Sequence, residues 1–127
     1  MQAKGIDPFA VHRYERTHRC KEVVVGFDAL EGRAVSVAGR IMALRRHGKS
    51  TFADLHDETG KLQLHARYDV LGEQEYERFV ELDLGDIIGV RGELFRTRTG
   101  EMTVRVEEFV LLAKALRPLP EKYHGLR

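Results

Sequence analysis

Arg40, Phe52, Gln63 and Arg67, with His56 and His65 among them, share one phase of a stretch that alternates apolar and polar residues. A phenyl ring on a polar sheet face can stack a nucleobase, and a guanidinium and an amide beside it can hydrogen-bond the base's edge. Three consecutive strands would have to present these groups. Val35, Val37, Gly39 and Ile41 alternate with Ser36, Ala38, Arg40 and Met42. Thr51, Ala53 and Leu55 alternate with Phe52, Asp54 and His56, and Leu62, Leu64 and Ala66 with Lys61, Gln63, His65 and Arg67. Side chains along a strand point to opposite faces with period two, so one set builds a core and the other a polar surface. Phe52 is the residue that decides between readings. As an ordinary core phenylalanine it would share the phase of Leu55; it does not, so its ring is expected outside. Gln63 and Arg67 alone would be plain exposed strand residues, and they gain meaning from the face they share with Phe52.

Other chemistries fit less well. Asp54, His56, Asp57 and His65 could be drawn as an acid–base cluster, and the evenly spaced His47, His56 and His65 as metal ligands. His47 falls in an expected loop, and no cysteine or carboxylate stands at ligand spacing beside the others. There is no phosphate-cradling GxxxxGK[ST] segment, and Cys20 has no histidine or acid motif around it to make it a nucleophile. Neither a catalytic site nor a metal site is expected.

The chain of 127 residues is sized for one domain that buries roughly two thirds of its unfolded surface. One cysteine excludes an internal disulfide framework and suits a reducing compartment. No apolar run approaches the ~20 residues of a membrane span, and MQAKGIDPF has no apolar signal region, so a cytoplasmic protein is expected. The net charge of +1 hides segregation. Arg33, Arg40, Arg45, Arg46 and Lys49 follow one another with no acid between, whereas 69–86 is dominated by acids. A local positive field is compatible with near neutrality overall.

Taken in order, AKGIDPF suits the end of a helix, with Gly5 and then Pro8 unable to continue it. Residues 9–17 have no clear period. Thr17 is expected to cap a helix over 18–30, where Val23, Phe27 and Leu30 share a face. Arg45-Arg46-His47-Gly48-Lys49 is expected as a basic loop between strands one and two, and Gly60 as a positive-φ position closing the next hairpin. Gly72 breaks the chain, and Tyr76, Phe79 and Val80 give an amphipathic helix over 73–82. Strand four covers 87–95, with Gly89 and Gly92 marking sharp bending, and strand five covers 101–113 after a basic turn through Arg98. Three strands, a helix and two strands is the order of a mainly β, five-stranded OB-fold Greek-key barrel. Its strand 2–3 surface, flanked by the 1–2 and 4–5 loops, binds oligonucleotides or oligosaccharides. The expected organisation is an N-terminal helical extension over 1–33, the barrel over 34–113 and a linker over 114–127.

The segments VAGRIMALRRHGKSTFADLHDETGKLQLHARYD, LDLGDIIGVRGELFRTRTGEMTV and LLAKALRPLPEKYHGLR, with GIDPF near the start, resemble the N-terminal anticodon-binding domain of class II lysyl-tRNA synthetases. The strand pattern is shared with the aspartyl and asparaginyl enzymes; Gly48-Lys49, Asp83–Asp86, Thr99–Glu101 and Lys114–Leu126 favour lysyl. The resemblance implies binding of the uridine-rich anticodon loop of tRNA(Lys). Phe52 would stack the central uridine, and Arg40 and Gln63 would bond its edge. Glu108 would lie near the anticodon bases, although its phase with Val104 and Val106 points inward unless a bulge releases it. Arg45, Arg46, Lys49, His65, Arg67 and Arg98 complete the expected RNA-binding set. The resemblance also implies a catalytic domain after Leu126, which would carry every ATP, lysine and magnesium site, and a possible homodimer in the full enzyme. This chain would itself hold no cofactor and would not aminoacylate. Two other functions suit an OB barrel: a free-standing binder of single-stranded nucleic acid, and a structural module for dimerisation or docking.

Overall fold

A bent strand organises the barrel. The computed structural model describes residues 16–115. The readings made of AKGIDPF and of the linker after Ala115 lie outside those residues. Strand β1, Ala34–His47, is long enough to serve two partners. Its first half pairs with β4 (Ile87–Arg96) and its second half with β2 (Ser50–His56). Strand β3 (Lys61–Arg67) continues from β2, runs parallel to a short stretch of β5 (Met102–Ala113), and β5 returns to β4. The sheet closes in the order β1-β2-β3-β5-β4. The expected barrel, with a helix between the third and fourth strands, is what forms.

Bending needs close backbone approach. A methyl group placed on Gly39 would meet the His56 carbonyl oxygen at 2.4 Å, and one on Gly92 would meet that of Arg105 at 1.8 Å. Glycine is the residue that lets strands cross there. β1 also carries a bulge: its register on β2 shifts between Ile41 and Ala43, leaving Met42 as the extra residue.

Inside, Val35, Val37, Ile41, Leu55, Leu64, Leu94 and Val104 are fully buried or nearly so. The helix over 73–82 is observed as α4, Glu73–Val80, after a short turn of helix α3, Tyr68–Leu71. Tyr76 and Phe79 plug the barrel, and the Tyr76 hydroxyl lies 2.9 Å from Thr51 Oγ1 in the interior.

The expected helix over 18–30 divides into α1, Cys20–Val25, and α2, Phe27–Leu30, at Gly26. Glycine costs ~1 kcal/mol in a helix interior and Val23–Val25 are weak helix formers, so a break is cheap there. Thr17 does not cap α1. Its amide donates to the Ser36 carbonyl at 2.9 Å and its hydroxyl accepts from the Ser36 amide at 2.9 Å, which ties it to β1. The free amides at the start of α1 are satisfied by the β2–β3 hairpin instead: Cys20 N donates to Asp57 Oδ2 at 2.9 Å and Lys21 N to Thr59 Oγ1 at 3.0 Å. Asp57 also closes its own turn, accepting from the Thr59 and Gly60 amides at 2.8 and 3.0 Å. Gly60 is therefore not at positive φ, contrary to expectation; the aspartate carries the turn.

Candidate nucleic-acid interface

The β2 and β3 faces follow the sequence phase. Thr51, Ala53, Leu55, Leu62, Leu64 and Ala66 are buried, while Phe52, Gln63, His65 and Arg67 stand half-exposed on the outside. Phe52 and His65 are opposite one another in the ladder, and their rings stack at 4.2 Å between centroids with 4° between planes. His47 meets Phe52 edge-on at 6.1 Å, and Phe95 stands 6.3 Å beyond His65. An aromatic row thus crosses the sheet from β1 to β4. The His65 ring is held below the usual imidazole range, first by burial and then by the Arg67 and Arg105 guanidiniums, so it stacks as a neutral ring at pH 7.

One rung along, Gln63 is fixed at both ends. Its Oε1 accepts from Arg45 Nη2 at 3.2 Å, and its Nε2 donates to Thr103 Oγ1 at 3.0 Å. Arg45 is in turn held by Asp54, Nη2 to Oδ1 at 3.0 Å. Arg45, Phe52, Gln63, His65 and Phe95 form the floor and one wall of an open groove of about 470 Å³, and the turn through Arg98 forms the other. A stacking ring, an oriented amide and a basic lip therefore border one groove, which is what single-stranded bases require.

The family model for tRNA-anticodon, an OB-fold nucleic acid binding domain, matches residues 35–112. The chain belongs to this anticodon family of OB-fold domains. Across its whole length it is 48% identical to the lysine–tRNA ligase of Thermoanaerobacter pseudethanolicus, covering 26% of that protein. It is also 48% identical over its whole length to that of Clostridium botulinum strain Hall, covering 25% of it. With the ligase of Clostridium acetobutylicum it shares 47% over 126 residues, covering 24%. The chain spans about a quarter of the length of these relatives.

Within the anticodon-family domain, not every expected site residue reaches the groove. Arg40 lies opposite His56, and its Nη1 donates to the Gly85 carbonyl at 3.2 Å. His56 is four residues from Phe52, or ~13 Å along a strand. The residue opposite Phe52 is Arg45, because the Met42 bulge reverses the phase of β1 midway. That strand also runs on to His47, so Arg45 and Arg46 are strand residues and the expected basic loop shrinks to Gly48-Lys49. The Arg46 guanidinium lies 5.9 Å from the Tyr76 ring centre, and Lys49 Nζ lies 5.1 Å from that of Tyr68. Lys49, His65, Arg67 and Tyr68 line a second cleft of about 530 Å³ on the other side of His65, although Arg67 is held by Asp69 at 2.8 and 3.0 Å. Glu108 is exposed and bonded to Arg91 at 2.9 Å. The register of β5 on β4 shifts so that Glu107 is the extra residue, which supplies the release its inward phase demanded.

The acids and histidines considered for catalysis are dispersed. Asp54 is held by Arg45, and Asp57 is enclosed by the hairpin and α1. Among the described residues no three His, Cys, Asp or Glu side chains are grouped closely enough to hold a metal ion. Cys20 is buried, and burial, followed by the nearby Asp57 charge, pushes its thiol far above the usual range. Sequence reasoning missed Thr103, Phe95 and Arg105. The parallel β3–β5 closure places Thr103 beside Gln63 and Arg105 beside His65, and the β4–β5 pairing sets Phe95 opposite Thr103.

Proposed function

We propose that this domain reads the anticodon loop of a lysine-accepting tRNA on behalf of a lysine–tRNA ligase. The observation that carries the reading is the groove itself: a flat Phe52–His65 stack beside a Gln63 amide pinned in one orientation. Phe52 stacks a base on the face away from His65, the β1 side where Arg45 and His47 stand. Gln63 bonds that base's edge, and Arg45 holds the amide in place. Lys49 and Arg98, at opposite ends of the site, meet the RNA backbone. Arg40 acts behind the site, steadying the turn at Gly85 next to the strand that carries the groove. The similarity to the ligases, all about four times longer, supports placing ATP, lysine and magnesium chemistry in the portion of those proteins outside this chain. That portion would be this domain's partner, and the cytoplasm its setting.

Binding to a hairpin RNA with a uridine-rich seven-nucleotide loop tests the reading. Phe52→Ala should weaken it by about 1–3 kcal/mol, the usual effect of removing one base-stacking ring. Unchanged affinity, with the fold intact by circular dichroism, would remove the groove from RNA recognition. A loss that is equal on every single strand, whatever its bases, would favour a sequence-blind binder instead.

A further inference from the structure

Arg105 flanks the aromatic row beside His65 and Phe95, with a donor to spare. It stands beside His65 in the parallel β3–β5 pairing, and opposite Glu93 on β4. Its Nη1 donates to Glu93 Oε1 at 3.1 Å, and its guanidinium carbon lies 5.0 Å from the centre of the Phe95 ring. Its Nε–H is buried and has no acceptor. Among the described residues only one other buried side-chain nitrogen shares that condition, Nη1 of Arg16, whose Nη2 lies 3.8 Å from Glu58 Oε2. The remaining arginines of this face are better matched: Arg45 is held by Asp54 and Gln63, and Arg67 by both oxygens of Asp69. A buried donor left unmatched is costly and calls for an explanation, and an acceptor on a bound molecule is one.

The aromatic row indicates which molecule that is. A stacked ring pair has two outward faces. That of Phe52 looks toward Arg45; that of His65 looks toward Phe95 and Arg105. A single strand that lays one base on Phe52 carries its neighbour to the His65 side. We propose that Arg105 is a further RNA-binding residue, which turns from Phe95 to give its Nε–H to an oxygen of that neighbouring nucleotide. This rests on the RNA-reading function above. The oxygen belongs either to the phosphate or to a base carbonyl, and both are acceptors that a guanidinium edge fits.

Arg105→Lys separates this role from a structural one, because lysine keeps the charge and can keep the Glu93 pair but has no Nε–H donor. With the uridine-rich hairpin as probe, at fixed ionic strength, Arg105→Lys should bind about tenfold more weakly while melting within a few degrees of the parent. Hairpins carrying one methylphosphonate at each loop linkage in turn identify the acceptor. If it is a phosphate, one substitution weakens the parent by a similar factor and leaves Arg105→Lys unaffected. If it is a base carbonyl, no linkage does so, and an abasic position in the loop does. Glu93→Gln, which frees Nη1 without touching Nε, should bind at least as well as the parent. Affinity for Arg105→Lys within about twofold of the parent would overturn the proposal. So would a loss that no linkage or base change removes, or an equal loss in Glu93→Gln. An intact Phe52→Ala effect alongside any of these would leave the RNA-reading function standing; its absence would remove that function instead.

Discussion

The orientation of Gln63 should decide whether the domain prefers uridine to cytidine, and that preference can be worked out from its bonds. An amide makes up to four hydrogen bonds, two at each end. Gln63 uses one acceptor site on Arg45 and one donor on Thr103, leaving one lone pair and one N–H for a base. Uridine offers a carbonyl and an adjacent N–H; cytidine offers the reverse, an amino group and an unprotonated ring nitrogen. A free amide would flip to suit either. Arginine has no acceptor, so flipping would set two donors against each other across 3.2 Å. The two bonds at stake, at about 1 kcal/mol net each, give about 2 kcal/mol of preference, or about 30-fold.

The perturbation is Arg45→Met, which keeps an apolar stem and removes the donor. Thr103 gives its hydroxyl proton to the Glu101 carbonyl at 3.1 Å, so a flipped amide would then cost only that one bond, about 1 kcal/mol, in place of a clash with a guanidinium. Calorimetric titration of the uridine-rich hairpin, and of one with cytidine at the central loop position, gives the ratio for each protein. The parent should prefer uridine by about 30-fold, Gln63→Ala by almost nothing, and Arg45→Met by about fivefold or less, whatever happens to its overall affinity. Because each protein is compared with itself on two loops, damage that weakens all binding cancels. An Arg45→Met ratio equal to the parent's would refute the idea that Arg45 orients Gln63. A parent-like ratio in Gln63→Ala would remove Gln63 from base reading altogether.

Three further outcomes follow from the same geometry. Binding should weaken with salt at a slope near −2 in log K against log salt if about three phosphates are neutralised on a single-stranded loop, and a flat response measured by anisotropy would clear the basic lips of any backbone contact. Asp57→Ala should lower stability by about 2–4 kcal/mol in urea unfolding, because it strips acceptors from the Cys20, Thr59 and Gly60 amides together. Burial works against the charge on Asp57, but those donors hold its carboxyl below the usual range, so its contribution is present above the unfolded carboxylate pKa and is lost as pH falls through the folded one. His65 has the opposite chemistry and the same direction: its imidazole is depressed, so the unfolded chain takes up the proton first, and stability should fall as pH drops below about 6.5. His65→Phe should flatten that part of the pH–stability curve, and an unchanged curve would mean the ring is not the group that titrates.

Much of the fold was legible because period two is a local signal. The β2 and β3 phases, the outward Phe52 and the core pair Tyr76 and Phe79 could be read from residue order alone. Helix starts were not, because the acceptors that cap α1 come from Asp57 and Thr59, some forty positions away in the sequence. A threonine in the right place was then indistinguishable from a cap, when its actual partner is Ser36.

The site was legible strand by strand but not across strands. Phase within β1 predicts Arg40 on the reading face, and up to Ile41 the phase holds. One extra residue, Met42, reverses it, and Arg45 takes the place opposite Phe52 while Arg40 turns to Gly85. No residue type around Met42 announces a bulge; it is imposed by closing the barrel, since β1 must leave β4 and join β2 within a few residues. The same closure brings Thr103 and Arg105 beside Gln63 and His65 through a parallel contact only three rungs long. The groove around Gln63 therefore depends on contacts between residues up to forty positions apart, so a substitution at a bulge or at Gly39 or Gly92 should disturb its geometry as surely as one at Gln63 itself.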